Sequence, residues 1–182
     1  MLDRANLSAA EAIQHLAGLQ AQDSTGPYIA LWSRLHAFDR AELTEAVESR
    51  SVVVATLQRV TMHMVTEADH RWLKPTLRPL HEQTRRRPVL GGLDHDALLA
   101  AARDRLPARM PDLRDLVPEG VNPGHLNDFF QSNLPLVRVP PAGTWRVQGS
   151  ALQELVAIGE PDAAQLVTRY LAAFGPATVA DA

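Results

Sequence analysis

Leu19-Gln20-Ala21-Gln22-Asp23 sets two primary amides on either side of one small apolar residue. A carboxamide accepts a hydrogen bond through its carbonyl and donates through its NH2, but it cannot take up a proton as a general base. In an extended backbone Gln20 and Gln22 project to the same side, because side chains alternate along a strand. In a helix they stand about 200° apart and cannot act together. Both backbones fit the sequence here, and glutamines that merely end a helix or face water are the simpler alternative to a joint site.

Thr61-Met62-His63 is the second candidate. In a strand Thr61 and His63 share one face. The histidine could hydrogen-bond a phosphate or a substrate base, although a strand histidine is ordinarily a satisfied structural one. Arg85-Arg86-Arg87, with Arg78 upstream, is the densest basic cluster. It fits a polyanion contact or a solvated helix end, where cations suit the macrodipole.

Other chemistries lack their residues. Cysteine is absent, which excludes disulfides, thiolate zinc sites, iron–sulfur ligation and a cysteine nucleophile. There is no Gly-rich phosphate loop, H-E-x-x-H, G-x-S-x-G or EF-hand pattern. The seven histidines are scattered with no i, i+4 pair, and His81-Glu82 lacks a second histidine. Neither a metal nor a cofactor is expected.

The elements that must hold the candidates follow from capping and periodicity. Ser8 to Glu11 spells a capping box ahead of Ala12, Ile13, Leu16 and Leu19, predicting a helix over about 8–18. Gly26-Pro27 opens a second helix, with Tyr28, Leu31, Trp32 and Leu35 at helical spacing. Asp39 and Glu42 open a third, running to about Ser49. The period then changes: residues 52–57 and 60–65 read as two strands joined around Gln58-Arg59. Three helices and a hairpin is the order of a winged helix. Thr66 caps a fourth helix, expected to reach about Arg86 and to bend at Pro75 and Pro79.

Gly91-Gly92 reads as a hinge, after which the order recurs. Helices are expected from Asp94 to about Arg105, near 112–116 and over about 123–132. A second hairpin is expected from Leu134–Val139 and Thr144–Gln148. Pro161 then opens a helix that Gly175-Pro176 ends. The expected class is therefore mainly α with small β-hairpins (α+β), in tandem winged-helix units: residues 1–90 with the trailing helix, 91–158, and the start of a truncated third unit over 159–182. One face of the last helix is then left uncovered.

Bulk composition fits a folded chain: 182 residues, 46% apolar and 21% charged. With 18 basic and 21 acidic residues, the net charge of -3 excludes a strongly basic nucleic-acid binder and leaves only local patches. Residues 1–90 carry 11 basic and 10 acidic residues, so any polyanion contact is expected in that half. No apolar run reaches membrane-span length, and no secretory signal pattern follows Met1. A cytoplasmic protein without membrane contact is the default expectation.

In order along the chain, Gln20-Ala21-Gln22-Asp23 with Tyr28 and Trp32-Ser33-Arg34-Leu35, Arg59-x-Thr61-x-His63 with Asp69 and Trp72, and Tyr170-Leu171-x-x-Phe174-Gly175-Pro176-Ala177-Thr178 resemble the winged-helix DNA glycosylases typified by AlkZ and YcaQ. The resemblance implies an N-glycosylase that removes N7-alkylated purines and, in some members, unhooks interstrand crosslinks. It implies double-stranded DNA as partner, no cofactor, and a bacterial protein associated with the nucleoid when bound to DNA. It makes Gln20 and Gln22 the catalytic pair. It implies a β-hairpin set against DNA, and with the charge and strand readings above Thr61, His63, Arg59, Arg34, Arg85, Arg86 and Arg87 are the expected DNA- or substrate-binding residues. The chemistry is physically consistent: an N7-alkylguanine is already cationic and leaves readily, so two amides need only position a water. A non-catalytic winged-helix DNA-binding protein or transcriptional regulator is the alternative. The helix at about 39–50, however, carries Asp39, Glu42, Glu45 and Glu48, which oppose ordinary major-groove docking.

Overall fold

A computed structural model describes residues 3–82, 90 and 92–178. The reciprocal capping box of Ser8 and Glu11 starts α1, Ala9–His15, a device worth about 1 kcal/mol. The helix ends where Ala17 (φ 55) and Gly18 (φ 103) turn left-handed and the Gly18 N–H reaches the Ile13 carbonyl at 3.0 Å. That turn starts β1, Leu19–Gln20. A Cβ on Gly18 would lie 2.8 Å from Val65 Cγ1, so both the backbone angle and the close approach require glycine. α2 (Gly26–Arg34) has Pro27 in its first turn, and α3 (Arg40–Glu48) is capped by the Asp39 carboxylate.

β2 (Val52–Thr56) and β3 (Met62–Thr66) are antiparallel and buried throughout. Burial on both faces explains their unbroken apolar character. Val52, Val54, Met62 and Met64 face α1–α3 and pack with Ile13, Tyr28, Leu31 and Leu43. Val53, Ala55, Leu57 and Val65 face the other way, onto Leu73, Leu77 and Val137. β1 pairs with β3, giving the sheet order β1-β3-β2. The hairpin turn is a 3-10 turn, Gln58–Val60, in which Arg59 and Val60 both have positive φ.

α4 (Glu67–Thr76) starts at the Thr66 cap. The single bent helix expected to Arg86 is instead interrupted at Leu77, which ends α4 and precedes α5 (Arg78–His81). Pro79 sits in the first turn of α5, where its missing N–H costs nothing. Arg85, Arg86, Arg87 and Gly91 lie outside the described residues.

The same order then recurs: α6 (His95–Arg105), β4 (Ala108–Arg109), a 3-10 turn (Met110–Leu116), α7 (Pro123–Asn133), β5 (Leu136–Arg138) and β6 (Leu152–Leu155). Its sheet order, β4-β6-β5, repeats that of the first sheet. The fold is α+β, with two small three-stranded antiparallel sheets set among helices. Three strands differ from expectation, and two of them, β1 and β4, lie where none was expected. The second hairpin closes at Leu152–Leu155 and not at Thr144–Gln148. The intervening stretch is a series of turns. Its Trp145 leaves the second sheet to pack edge-on against Tyr28, ring centroids 5.4 Å apart. Burial of an indole against the first core outweighs the local strand pattern.

The two halves are joined along β2 and β5 and by the Arg50–Glu154 ion pair. At their junction Lys74 Nζ donates to the Thr56 and Gln131 carbonyls at 3.2 and 2.5 Å. α8 (Ala163–Phe174) is tied to α4 by the Arg169–Asp69 ion pair and by the Asp162 N–H donating to the Thr76 hydroxyl at 2.7 Å. Its Val167, Leu171 and Phe174 are exposed. No described helix is long and apolar enough to cross a membrane.

Candidate active site

Leu19 and Gln20 are extended in β1, and Gln22 lies in the bend that follows. Leu19 and Ala21 pack into the first core, and Gln20 and Gln22 are both exposed. Gln20 lies directly opposite His63 across the β1–β3 pair, on the same face of the sheet. Among the described residues its amide has no hydrogen-bond partner, so both its carbonyl and its NH2 are available.

Gln22 is held differently. The Ala21 N–H donates to the Met62 carbonyl at 2.8 Å, and the Met62 N–H donates to Gln22 Oε1 at 2.8 Å. The side-chain carbonyl thus stands in for a backbone carbonyl where β1 leaves the ladder. This fixes the amide plane and leaves the Nε2 donors and a second lone pair on Oε1 free for a ligand. Asp23 is consumed locally: its carboxylate accepts from the Thr25 N–H at 2.7 Å and from the Thr25 hydroxyl. Those bonds hold its carboxyl below the usual range.

His63 is buried, and its Nδ1 lies 2.9 Å from the Thr61 carbonyl. A carbonyl only accepts, so Nδ1 carries the hydrogen. Burial, with a smaller contribution from the Arg59 charge, pushes the imidazole below its ordinary 6.5. Near neutral pH Nε2 is therefore an acceptor, and the ring has no N–H left for a phosphate. The Thr61 hydroxyl donates to the Gln58 carbonyl at 3.0 Å and closes the hairpin turn. Arg59 stands exposed at the tip of that turn, with no ion pair among the described residues.

Not every candidate converges here. Gly26, which begins α2, adjoins the Gln20 carbonyl, whereas Arg34 ends the helix, about 12 Å further along its axis at 1.5 Å per residue. Its guanidinium donates to the Ala30 carbonyl at 2.9 Å and to the Ser33 hydroxyl at 3.2 Å. Asp69 and Trp72 are structural: Trp72 Nε1 donates to Asp69 Oδ1 at 3.2 Å, and Arg169 holds Oδ2. Among the described residues no three His, Asp or Glu side chains are grouped to hold a metal. No pattern in the sequence singles out Ser24, whose buried hydroxyl, two residues after Gln22, has no hydrogen-bond partner among the described residues.

The family model for AlkZ-like DNA glycosylases matches residues 13–182, a stretch that includes every one of these groups. The chain belongs to the AlkZ-like DNA glycosylase family. Among solved structures, the DNA glycosylase AlkZ of Streptomyces sahachiroi aligns with it at a TM-score of 0.75 and 19% identity, over 96% of this chain and 54% of that one. The chain thus spans about half the length of that AlkZ structure. No curated protein matches it. At this identity the AlkZ likeness speaks to the fold, in which two successive helix-and-sheet units carry the glutamine segment on the first sheet.

Proposed function

We propose that this AlkZ-like chain acts in DNA repair as an N-glycosylase. It hydrolyses the N-glycosidic bond of N7-alkylated purines, with Gln20 and Gln22 positioning the attacking water; interstrand crosslinks made through the same nitrogen are within its chemistry. The observation that carries this reading is the pair of exposed amides projecting from one edge of the first sheet, in a chain of this family. Gln22, oriented by the Met62 N–H, offers a fixed polar group. Gln20 offers an unengaged one beside the acceptor Nε2 of His63. A water held between carbonyl acceptors loses little freedom on the way to the transition state, a proximity effect. The cationic base needs no acid to help it leave, which suits a site whose two leading groups do not titrate. The exposed hairpin tip at Arg59 supplies a cation for the phosphate backbone.

Release of N7-methylguanine from methylated duplex DNA tests the proposal. Gln20→Ala is expected to lower release at least tenfold while duplex binding is retained. Tight duplex binding with no release, by parent and variant alike, would instead favour a DNA-binding protein without catalysis.

A further inference from the structure

A second concave surface lies along α2 at the margin of the first core. Tyr28 forms its floor. Ile29, Trp32, Phe38, Arg40 and Trp145 line a groove of about 310 Å³. Ile29 and Trp32 are 55% and 59% exposed, which is unusual for side chains of that size. Tyr28 meets Phe38 and Trp145 edge-on, so the ring walls are fixed by packing.

Three guanidiniums border these rings. Arg4 lies 5.1 Å from the centre of Trp32, while Arg40 and Arg146 lie 5.3 and 5.6 Å from the centre of Trp145. Neither Arg40 nor Arg146 has an ion pair among the described residues. Both are held against local preference. Arg40 occupies the first position of α3, the positive end of the helix dipole. Arg146 has φ 60, in the left-handed region that disfavours a side chain. Nearby Asp39 already uses its carboxylate to cap α3.

We infer that this groove is a binding site for an unpaired DNA strand, with a base stacked on Trp32 and phosphates on Arg40 and Arg146. An exposed indole such as Trp32, backed by Arg4, accepts any base by stacking, and guanidiniums match phosphate oxygens. An apolar partner or a second copy of the chain would have to bury two unpaired cations. Paired duplex would keep its bases away from Trp32. The inference rests on the DNA-acting reading above. α2 links the two places: Trp32 lies about 9 Å along the helix from Gly26, beside the Gln20 carbonyl, a span of two to three stacked nucleotides.

The test is anisotropy of a fluorescein-labelled 12-nucleotide thymidine oligomer at low salt, together with tryptophan emission. The parent chain should bind the oligomer with quenching. Trp32→Ala and Arg146→Gly should each weaken binding about 5- to 100-fold, and Trp32→Ala should leave binding of a 12-base-pair duplex unchanged. Arg146→Gly also relieves the left-handed backbone, so its loss of binding cannot be put down to unfolding. Unchanged oligomer affinity in both variants would overturn the inference, as would concentration-dependent self-association that Trp32→Ala abolishes. The oligomer carries no lesion, so the two readings separate. Trp32-dependent binding without base release would leave the groove and remove the reaction; base release with Trp32-independent binding would do the reverse.

Discussion

Replacing Lys74, the only lysine in the chain, by methionine should remove a pH dependence that this one amine builds into folding. Lys74 is buried between the halves of the molecule, and burial pushes its amine from the ordinary 10.5 down to about 7. The geometry agrees. A neutral amine has two N–H donors, and two carbonyls, those of Thr56 and Gln131, accept from Lys74; the third hydrogen of an ammonium would have no acceptor. His70 and His81 are its titratable neighbours, and burial depresses both, His70 to about 4. Between pH 7 and 10.5 the folded chain therefore binds fewer protons than the unfolded one, and stability rises with pH. The slope approaches ~1.4 kcal/mol per pH unit, which integrates to about 2–3 kcal/mol between pH 7.5 and 9.5. In a chain of this size that is a rise of roughly 5–10 °C in Tm. The histidine contributions are complete above about pH 6.5, so this window is clear of them. Lys74→Met should be less stable at pH 9.5, because two buried carbonyls lose their donor at about 1–3 kcal/mol each. Urea denaturation of both proteins at the two pH values gives the answer as a difference of differences. Parallel pH dependence in parent and variant would refute the argument, since Lys74 would then be charged in the folded state as well.

Other expectations follow from single contacts. Gln22→Ala should cost about 1–2 kcal/mol in denaturation, because the Met62 N–H loses its acceptor; Gln20→Ala, with no partner to lose, should stay within ~0.5 kcal/mol of the parent. Gly18→Ala should destabilise by roughly 1–3 kcal/mol and speed amide exchange in β3, since a methyl there meets Val65 Cγ1 at 2.8 Å. Asp69→Asn should weaken the tie to Arg169 and raise exchange across α8 well before the two sheets open, with a cost of roughly 1–3 kcal/mol.

Local signals foretold most helix starts. Ser8, Asp39, Thr66 and Asp94 each cap the helix their position predicts, because capping is decided within four residues. Strands that depend on distant partners were harder to read. β1 and β4 are two residues long and carry no periodicity. The strand expected at Thr144–Gln148 gave way to the docking of Trp145 on Tyr28, more than a hundred residues away. At the candidate site, alternation places Gln20 and Gln22 on one side only if both are extended; pairing with β3 makes a strand of Leu19–Gln20, and Gln22 lies in the bend beyond it. The engagement of Gln22 by the Met62 N–H and the tautomer of His63 depend on atoms forty and two residues away. Neither leaves a trace in spacing. Nor does composition show why one lysine stands among seventeen arginines: in the fold it serves the last turn of α7 and the edge of β2, where a compact amine fits between two carbonyls.

In the proposed reaction the two amides of Gln20 and Gln22 carry the chemistry. The most direct test compares release of N7-methylguanine from methylated duplex DNA by this chain and by the Gln20→Ala, Gln22→Ala double variant, at a temperature where denaturation shows both to be folded. The parent is expected to release the base, and the double variant to give only the spontaneous background. Release by the folded double variant at the parental rate would contradict this expectation.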